Sequence, residues 1–172
     1  KKTIFLKLFG AILIVALVLT VLILAYSFRT IEARWIARET ARLESLARVL
    51  APQIEPLLAE ERRPELDALV KRASAAADVR LTVVNPKGLV LADSTAEASG
   101  METHLYRPEI LSALSGQPGV SRRRSPTLGR DMLYVGFPVP GAERVSGIVR
   151  VSLYLKDIDR LLAELRGRIM RL

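Results

Sequence analysis

The sequence predicts an α+β fold, in which a five-stranded antiparallel sheet is packed by helices and follows one transmembrane helix. Three observations carry this prediction. Residues 8–28 form a run of 21 without a single charge. Five later segments show the alternation or the β-branched residues that are typical of strands. Helical segments stand before and between those strands, and this order favours an antiparallel sheet with helices packed against it.

The uncharged run, Leu8–Phe28, predicts a transmembrane helix. At about 1.5 Å per residue it reaches about 30 Å, the thickness of the hydrocarbon core of a lipid bilayer. A cleaved signal peptide and a buried core helix are the alternatives, but the apolar region of a signal peptide is usually about 7–15 residues long. We therefore expect a retained anchor in the lipid bilayer. Residues 1–7 would form a cytoplasmic tail, and the long remainder of the chain would lie outside the cytoplasm.

Residues 29–58 predict a helix that continues outward from the membrane. Apolar side chains recur at every seventh position of this segment, as in a coiled coil, at Ile36, Leu43, Leu50 and Leu57. Such a seam either pairs with a second copy in a homodimer or covers the chain's own domain, and both arrangements can hold on different faces. Pro52 and Pro56 lack the backbone N–H that an interior helical position needs, so the helix is expected to kink or end near Leu50.

Residues 59–155 predict the sheet domain. Pro64 suits the first turn of a helix, and Pro108–Ser115 indicates a shorter helix closed by Gly116. Asn85–Gly88 has the composition of a tight turn between two strands. The five predicted strands are 80–85, 89–94, 120–125, 132–139 and 148–155. The third of these is polar, which is expected of an edge strand.

Residues 156–172 predict a second heptad helix. Its apolar positions are Ile158, Leu162, Leu165, Ile169 and Leu172. Because this seam still runs at the last residue, without a capping residue, Gly or Pro, we expect the natural polypeptide to continue. We interpret the segment as a C-terminal signalling helix that leads toward a second membrane span. The two seams together predict a homodimer, since pairing would bury leucines that one subunit leaves exposed.

The composition excludes several classes of function. The formal net charge is +8, but acidic and basic side chains are interspersed, and no basic arm or aromatic-studded groove indicates nucleic-acid binding. One histidine and no cysteine leave no obvious base–nucleophile pair for catalysis. His104 with Glu102 is too small a set for a metal site. We expect no catalytic residue, no bound metal and no cofactor in this chain.

One face of the predicted sheet carries a candidate ligand site. If the face of Leu133 packs on the long helix, the opposite face presents polar side chains from the last two strands, and the loop before the short helix could cover them. Guanidinium groups that converge there with a phenol and a hydroxyl suit an anion such as a carboxylate or phosphate. The candidate residues are His104, Arg107, Arg122, Arg124, Tyr134, Arg150 and Ser152. The alternative is that these positions face solvent, with Arg122 and Arg124 keeping an edge strand unpaired.

Four segments of the chain carry a family resemblance. They are RLTVVNPKGLVLADS at 80–94, HLYRPEILSAL at 104–114, RRRSPTLGRDMLYVGFPV at 122–139 and GIVRVSLYL at 147–155. In this order, behind an anchor and an outward helix, they resemble the input half of bacterial membrane-bound sensor histidine kinases of the phosphate-starvation type. The resemblance implies a PAS-like extracytoplasmic sensor domain of the Cache class over residues 59–155, held at the bacterial inner membrane.

The same resemblance limits what this chain can do. It contains neither a phospho-accepting histidine segment nor a glycine-rich ATP-binding segment, and the loop residue His104 cannot replace the former. We therefore expect the chain itself not to be an enzyme, although the parent protein would be a histidine kinase. A cytoplasmic response regulator would be reached only through that kinase part, as in two-component systems.

Two classes of function follow from these observations. The first is a signal-input module that senses a small anionic ligand or an envelope partner protein and passes the stimulus through its membrane-proximal helices. Within this class, a chemoreceptor or a nucleotide cyclase could replace the kinase as output. The second is a single-span envelope scaffold or binding protein without signalling output.

Overall fold

The computed structural model describes residues 2–125, 131–142 and 144–155. The predicted heptad helix at 156–172, with Ile158, Leu162, Leu165 and Ile169, lies outside the described residues. The chain divides into two compact units, Lys1–Glu39 and Thr40–Leu172, and each is described by itself.

The Lys1–Glu39 unit is helical and belongs to helix α1, which spans Lys2–Ala59. The apolar side chains at 11–26 are exposed, among them Leu13, Leu17 and Leu24. By length and composition the helix can cross a membrane. An exposed apolar surface of this kind is what a segment surrounded by lipid requires, because hydrocarbon replaces the protein cover that a soluble helix would need.

Helix α1 continues through Pro52 and Pro56 to Ala59, so the expectation that it could end near Leu50 was wrong. The expectation of a kink stays a prediction. Each proline removes one backbone hydrogen bond from the helix. The flanking apolar side chains of Leu50, Ala51 and Ile54 are buried, however, and this packing holds the last turns in helical form.

The heptad seam of α1 covers its own domain within the Thr40–Leu172 unit. Leu43 and Ala47 are fully buried and Leu50 is 6% exposed, all within a single copy of the chain. The prediction that Leu43 and Leu50 form a dimer seam is therefore corrected, because their apolar area is already used inside the protomer. Ile36 lies in the other unit and is half-buried there, and its role in dimerisation stays a prediction.

The Thr40–Leu172 unit is an α+β domain with a five-stranded antiparallel sheet, as predicted. After α1 the elements are helix α2 (Arg63–Ala77), strands β1 (Arg80–Val84) and β2 (Val90–Asp93), a 3-10 turn (Ala98–Gly100), helix α3 (Pro108–Leu114), and strands β3 (Gly119–Arg124), β4 (Asp131–Val139) and β5 (Gly147–Tyr154). The strand order is β2-β1-β5-β4-β3, so the predicted edge position of the third strand is confirmed.

Helices α1 and α2 cover one face of the sheet. Leu50 and Ile54 of α1 and Val70 of α2 surround a small void together with Leu81, Val83 and Val149 of the sheet. On the same face, the guanidinium carbon of Arg48 lies 5.4 Å from the centre of the Phe137 ring. This confirms that the Phe137 side of β4 faces the long helix, so its polar neighbours must face the other way.

Helix α3 lies against the opposite face of the sheet. Ile110 and Ala113 of α3 form a buried apolar cluster with Val84 and Ile148. At Gly136 of β4 an added Cβ would collide with the backbone carbonyl of Glu109, so only glycine allows the helix to approach this closely. The approach brings the side chain of Glu109 down onto the sheet.

Candidate functional site

A cavity of about 320 Å³ opens on the face of the sheet that α3 covers. The floor is formed by side chains that point to this face of the sheet from four strands. They are Arg80 from β1, Arg123 from β3, Tyr134 from β4 and Arg150 from β5. The register places them side by side, because Gly136 pairs with Arg150, and Tyr134 and Arg80 both pair with Ser152. Ser125, just after β3, also lines the cavity, and the segment between β2 and α3 supplies the rest of the wall, namely Ala96, Glu97, Gly100, Met101, Glu102, His104 and Arg107.

The loop that carries His104 is tied to the turn between β1 and β2. Asn85 accepts hydrogen bonds from the backbone N–H groups of Lys87 and Leu89, which confirms the predicted turn. Gly88 in this turn has a φ of +82°, and its carbonyl oxygen accepts the N–H of His104 at 2.8 Å. A Cβ at Gly88 would also collide with Leu105. The turn therefore fixes where the imidazole enters the cavity wall.

Four of the seven predicted site residues line the cavity: His104, Arg107, Tyr134 and Arg150. Ser152 lies on the same face of the sheet but is buried and does not line the cavity. Its hydroxyl donates to the carbonyl oxygen of Arg80 at 3.5 Å.

Arg122 and Arg124 were predicted in the site, and the structure corrects this. Arg122 pairs with Leu133, so it shares the face that looks toward α1, whereas Arg123 pairs with Met132 and enters the cavity. Side chains alternate along a strand, and a shift of one residue reverses the face. Three successive arginines carry no alternation, so their own pattern could not decide the face. The only sequence signal for the face of β3 was a neighbouring residue: the apolar Val120 lies on the same side of the strand as Arg122 and Arg124.

Sequence reasoning missed Arg80 and its buried partner Asp93. The Arg80 Nε donates to Asp93 Oδ2 at 3.1 Å, and the Thr82 hydroxyl donates to the same oxygen at 2.7 Å. The other oxygen, Oδ1, accepts the backbone N–H groups of Thr95 and Ala96. Asp93 thus fixes both a cavity guanidinium and the start of the covering loop. The available signal in the sequence was that Arg80 and Thr82 alternate with apolar residues along β1, which places both polar side chains on the same face.

Glu109 was also missed, and it holds the two other guanidinium groups of the floor. Arg123 Nη2 donates to Glu109 Oε1 at 3.0 Å, and Arg150 Nη1 lies 3.8 Å from the same oxygen. The carboxylate is fully buried. Arg150 Nη2 also donates to the Thr82 hydroxyl at 3.1 Å, so the two ion-paired groups of the cavity are connected.

The ring of Tyr134 supports both of these guanidinium groups. Their central carbons lie 4.1 Å (Arg123) and 5.3 Å (Arg150) from the ring centre, which is the range of cation–π attraction. The ring is 4% exposed, and its hydroxyl contacts the sulfur of Met132 at 3.5 Å. Tyr134 therefore fixes the positions of the two arginines from below.

Burial changes the protonation of two cavity residues. Loss of hydration lowers the pKa of Arg150 to about 10, against an opposing attraction from Glu109. Burial also lowers the pKa of His104, and the positive charge of Arg150 lowers it further. His104 Nδ1 lies 2.8 Å from the carbonyl oxygen of Glu102. Because a carbonyl only accepts, Nδ1 carries the proton, and Nε2 of the neutral ring is an acceptor.

Three buried polar atoms of this site have no hydrogen-bond partner in the described part of the chain. They are Arg123 Nε, Arg150 Nε and Glu109 Oε2. Unpaired buried donors are costly and uncommon. Two of them belong to guanidinium groups that line one cavity, so the described residues do not use the full hydrogen-bonding capacity of these arginines.

A larger cleft of about 580 Å³ lies beside α2 and does not have these properties. Its charged side chains include Lys71 and Glu97, which are exposed, and Arg63 already donates to the carbonyl of Leu91. Within the described residues, no group of three or more His, Asp or Glu side chains is arranged to hold a metal ion. The smaller, arginine-lined cavity is therefore the candidate site.

Comparison with known proteins identifies the fold. No protein-family model matches the chain, and no curated protein matches it. Among solved structures, the sensor domain of the Vibrio cholerae histidine kinase DctB is similar, with a TM-score of 0.59 and 13% identity. The Escherichia coli DcuS sensor domain has a TM-score of 0.58 and 20% identity. The ligand-binding domain of the Campylobacter jejuni chemoreceptor Tlp3, in complex with L-valine, has a TM-score of 0.58 and 15% identity.

The extent of these matches differs. The DctB match covers 78% of this chain and 59% of the DctB chain. The DcuS match covers 74% and 97%, and the Tlp3 match covers 74% and 57%, of this chain and of the other chain respectively. The chain thus spans nearly all of the DcuS domain but less than two thirds of the other two. At these identities the likeness establishes the fold alone. The fold is that of sensor domains of histidine kinases and chemoreceptors, as the sequence resemblance implied.

Proposed function

We propose that this chain is the membrane-anchored, extracytoplasmic input module of a sensor histidine kinase, and that its arginine-lined cavity binds a small anionic ligand. The observation that carries the proposal is the convergence of three guanidinium groups, those of Arg80, Arg123 and Arg150, on one cavity of about 320 Å³. The shared fold of kinase and chemoreceptor sensor domains supports the same assignment.

The geometry of the cavity favours an anion over a neutral or cationic ligand. Arg80, Arg123 and Arg150 come from three different strands, and each is already held in place by a carboxylate or a hydroxyl. Rigid guanidinium groups recognise planar carboxylates through paired hydrogen bonds. Because these donors are fixed before the ligand arrives, little ordering is needed on binding. The Tlp3 domain was solved with L-valine, a zwitterion that also presents a carboxylate group, so it supports carboxylate recognition and not the net charge of the ligand.

The path of the chain supports a signalling role. Arg150 lies near the middle of β5, the strand at the centre of the sheet, and the sequence after β5 leads directly into residues 156–172. A ligand that binds Arg150 and Arg123 together would stabilise one position of β5, and of the segment that follows it, relative to others. In a homodimer this bias would reach the kinase part of the parent protein and, through it, a response regulator. The choice of a kinase over a chemoreceptor output rests on the four resembling sequence segments.

The ligand site is tested by screening the full chain in lipid nanodiscs against small carboxylates, amino acids and inorganic phosphate. We expect at least one of these to raise Tm and to bind in calorimetry. Arg150→Gln and Arg123→Gln should each abolish that binding, whereas Arg122→Gln, on the opposite face, should leave it intact. Binding that survives both cavity substitutions would place the ligand elsewhere and overturn the proposal.

The topology is tested with single cysteines, which the chain lacks. Tyr106 is 78% exposed in the loop before α3, and Tyr106→Cys should react with a membrane-impermeant maleimide in intact spheroplasts. Lys2→Cys should react only after lysis. The reverse pattern would place the sheet domain in the cytoplasm and contradict the extracytoplasmic assignment.

A further inference from the structure

The floor of the arginine-lined cavity holds an odd number of charged groups, three of them buried and two partly exposed. Three guanidinium groups are 11% (Arg80), 21% (Arg123) and 4% (Arg150) exposed, while the side chains of Asp93 and Glu109 are fully buried. The five groups therefore carry a formal charge of +1. His104 at the wall adds none when it is neutral.

We propose that Glu109 sets the charge of the ligand, so that the cavity accepts a monoanion with a single carboxylate and rejects a dianion. This inference rests on the proposed ligand-binding function and adds the chemical class of the ligand. Glu109 is thus a specificity-determining residue, which acts by neutralising one of the guanidinium groups that would otherwise attract a second negative charge.

The energetic reason is the cost of an uncompensated charge in a buried site. One carboxylate brings the five-group cluster to neutrality, whereas a dianion leaves it with a net negative charge in a medium of low dielectric constant. The mouth of the cavity does not offset this. Arg107 stands there together with two exposed carboxylates, Glu97 and Glu102, so the mouth has no positive excess for a second carboxylate.

Glu109 is better placed for this role than Asp93. Both oxygens of Asp93 are fully engaged, by Arg80, by Thr82 and by two backbone N–H groups. Glu109 uses only Oε1, and its Oε2 is buried without a partner in the described residues. Its two arginine partners are also the groups that keep a free Nε donor. Glu109 and a ligand carboxylate would therefore share Arg123 and Arg150.

The test compares ligand pairs that differ only in a second carboxylate: butyrate with succinate, and 2-hydroxybutyrate with malate. Calorimetry uses the full chain in nanodiscs at a pH at which all four are fully ionised. We expect the wild type to bind the monoanion of each pair at least about tenfold more tightly than the dianion. Glu109→Gln raises the cluster to +2 and should shift the ratio toward the dianion by at least about tenfold.

One control variant makes the outcome decisive. Glu102→Gln, at the exposed mouth, should change the ratio far less than Glu109→Gln. A wild-type preference for the dianion, or a ratio that Glu109→Gln leaves unchanged, would overturn the role of Glu109 and leave the anion site standing. If none of the four ligands binds the wild type, this inference fails, whereas the anion site itself fails only if no ligand of the wider screen binds.

Discussion

Arg150 is nearly fully buried in the central strand, and its chemistry explains why an arginine stands there. Burial lowers its pKa to about 10, which still leaves the guanidinium charged at neutral pH. A lysine begins from a lower pKa and loses its charge more readily when desolvated. It would also lack the fork that reaches the Thr82 hydroxyl and Glu109 together. Arg150→Lys is therefore not a conservative change at this position.

His104 is the only histidine of the chain, so its imidazole signal in NMR is unambiguous. We expect it to titrate below the ordinary pKa of about 6.5, because burial and then the charge of Arg150 disfavour the imidazolium. Arg107→Gln removes a further positive charge that lowers this pKa, so the midpoint should rise. Arg72→Gln, on the exposed side of α2, should leave it unchanged. A wild-type midpoint at or above the ordinary value would contradict the burial of this ring.

Because the pKa of His104 is lowered in the folded protein, the free energy of unfolding should fall when the pH is lowered. Since the folded pKa of His104 lies below the unfolded one, the unfolded chain binds the proton more readily in the window between them. The contribution of neutral His104 to the free energy of unfolding is complete above about pH 6.5 and is lost as the pH falls through the folded pKa. Urea unfolding at pH 7.5 and pH 5.5 should therefore show a larger loss for the wild type than for His104→Gln.

At the scale of single residues, sequence reasoning located part of the site and missed its counter-ions. Tyr134 and Arg150 could be assigned to one face because β4 and β5 alternate clearly. Glu109 could not, because a glutamate in the first turn of a short helix is ordinarily explained by the helix dipole. Only the close approach of α3 to the sheet reveals that it is buried.

At the scale of elements, the five predicted strands and the helices that begin near Pro64 and Pro108 agree with the structure, because turn residues or prolines mark their boundaries. The end of α1 could not be read in this way. The proline rule assumes that a lost hydrogen bond decides the outcome, whereas burial of Leu50 and Ile54 outweighs it here. The sequence could also not predict which side chains of β3 point into the cavity, because this depends on the register of β3 with β4 and not on β3 alone.

The contact between α3 and the sheet gives a prediction at this scale. Gly136→Ala places a methyl group against the backbone carbonyl of Glu109, which cannot move without displacing the helix. We expect a loss of about 1–3 kcal/mol in the free energy of unfolding, measured with urea. Gly100→Ala is the matched control, because its added Cβ would meet nothing within 4 Å, and its effect should be small. Equal stability of the two variants would show that α3 is free to shift.

At the scale of the whole molecule, the proposed homodimer cannot use the part of the first heptad seam that contains Leu43 and Leu50. Leu43 and Leu50 are used inside the protomer, so a partner subunit cannot pack on them. Among the described residues of α1 from Thr40 to Ala59, Val49 is the large apolar side chain left exposed, at 64%. If α1 contributes to a dimer beyond the membrane segment, the helical face of Val49 is the one available for apolar contact.

Cysteine cross-linking distinguishes these two faces. In membranes treated with a mild oxidant, Val49→Cys should give a disulfide-linked dimer, because equivalent positions across a two-fold axis come together when the helices pair. Leu43→Cys should give none, since its side chain is fully buried. Lys71→Cys, exposed on α2, reports random collision. Cross-linking at Val49 no stronger than at Lys71 would show that this part of α1 does not pair, and any dimer contact would then have to lie outside it.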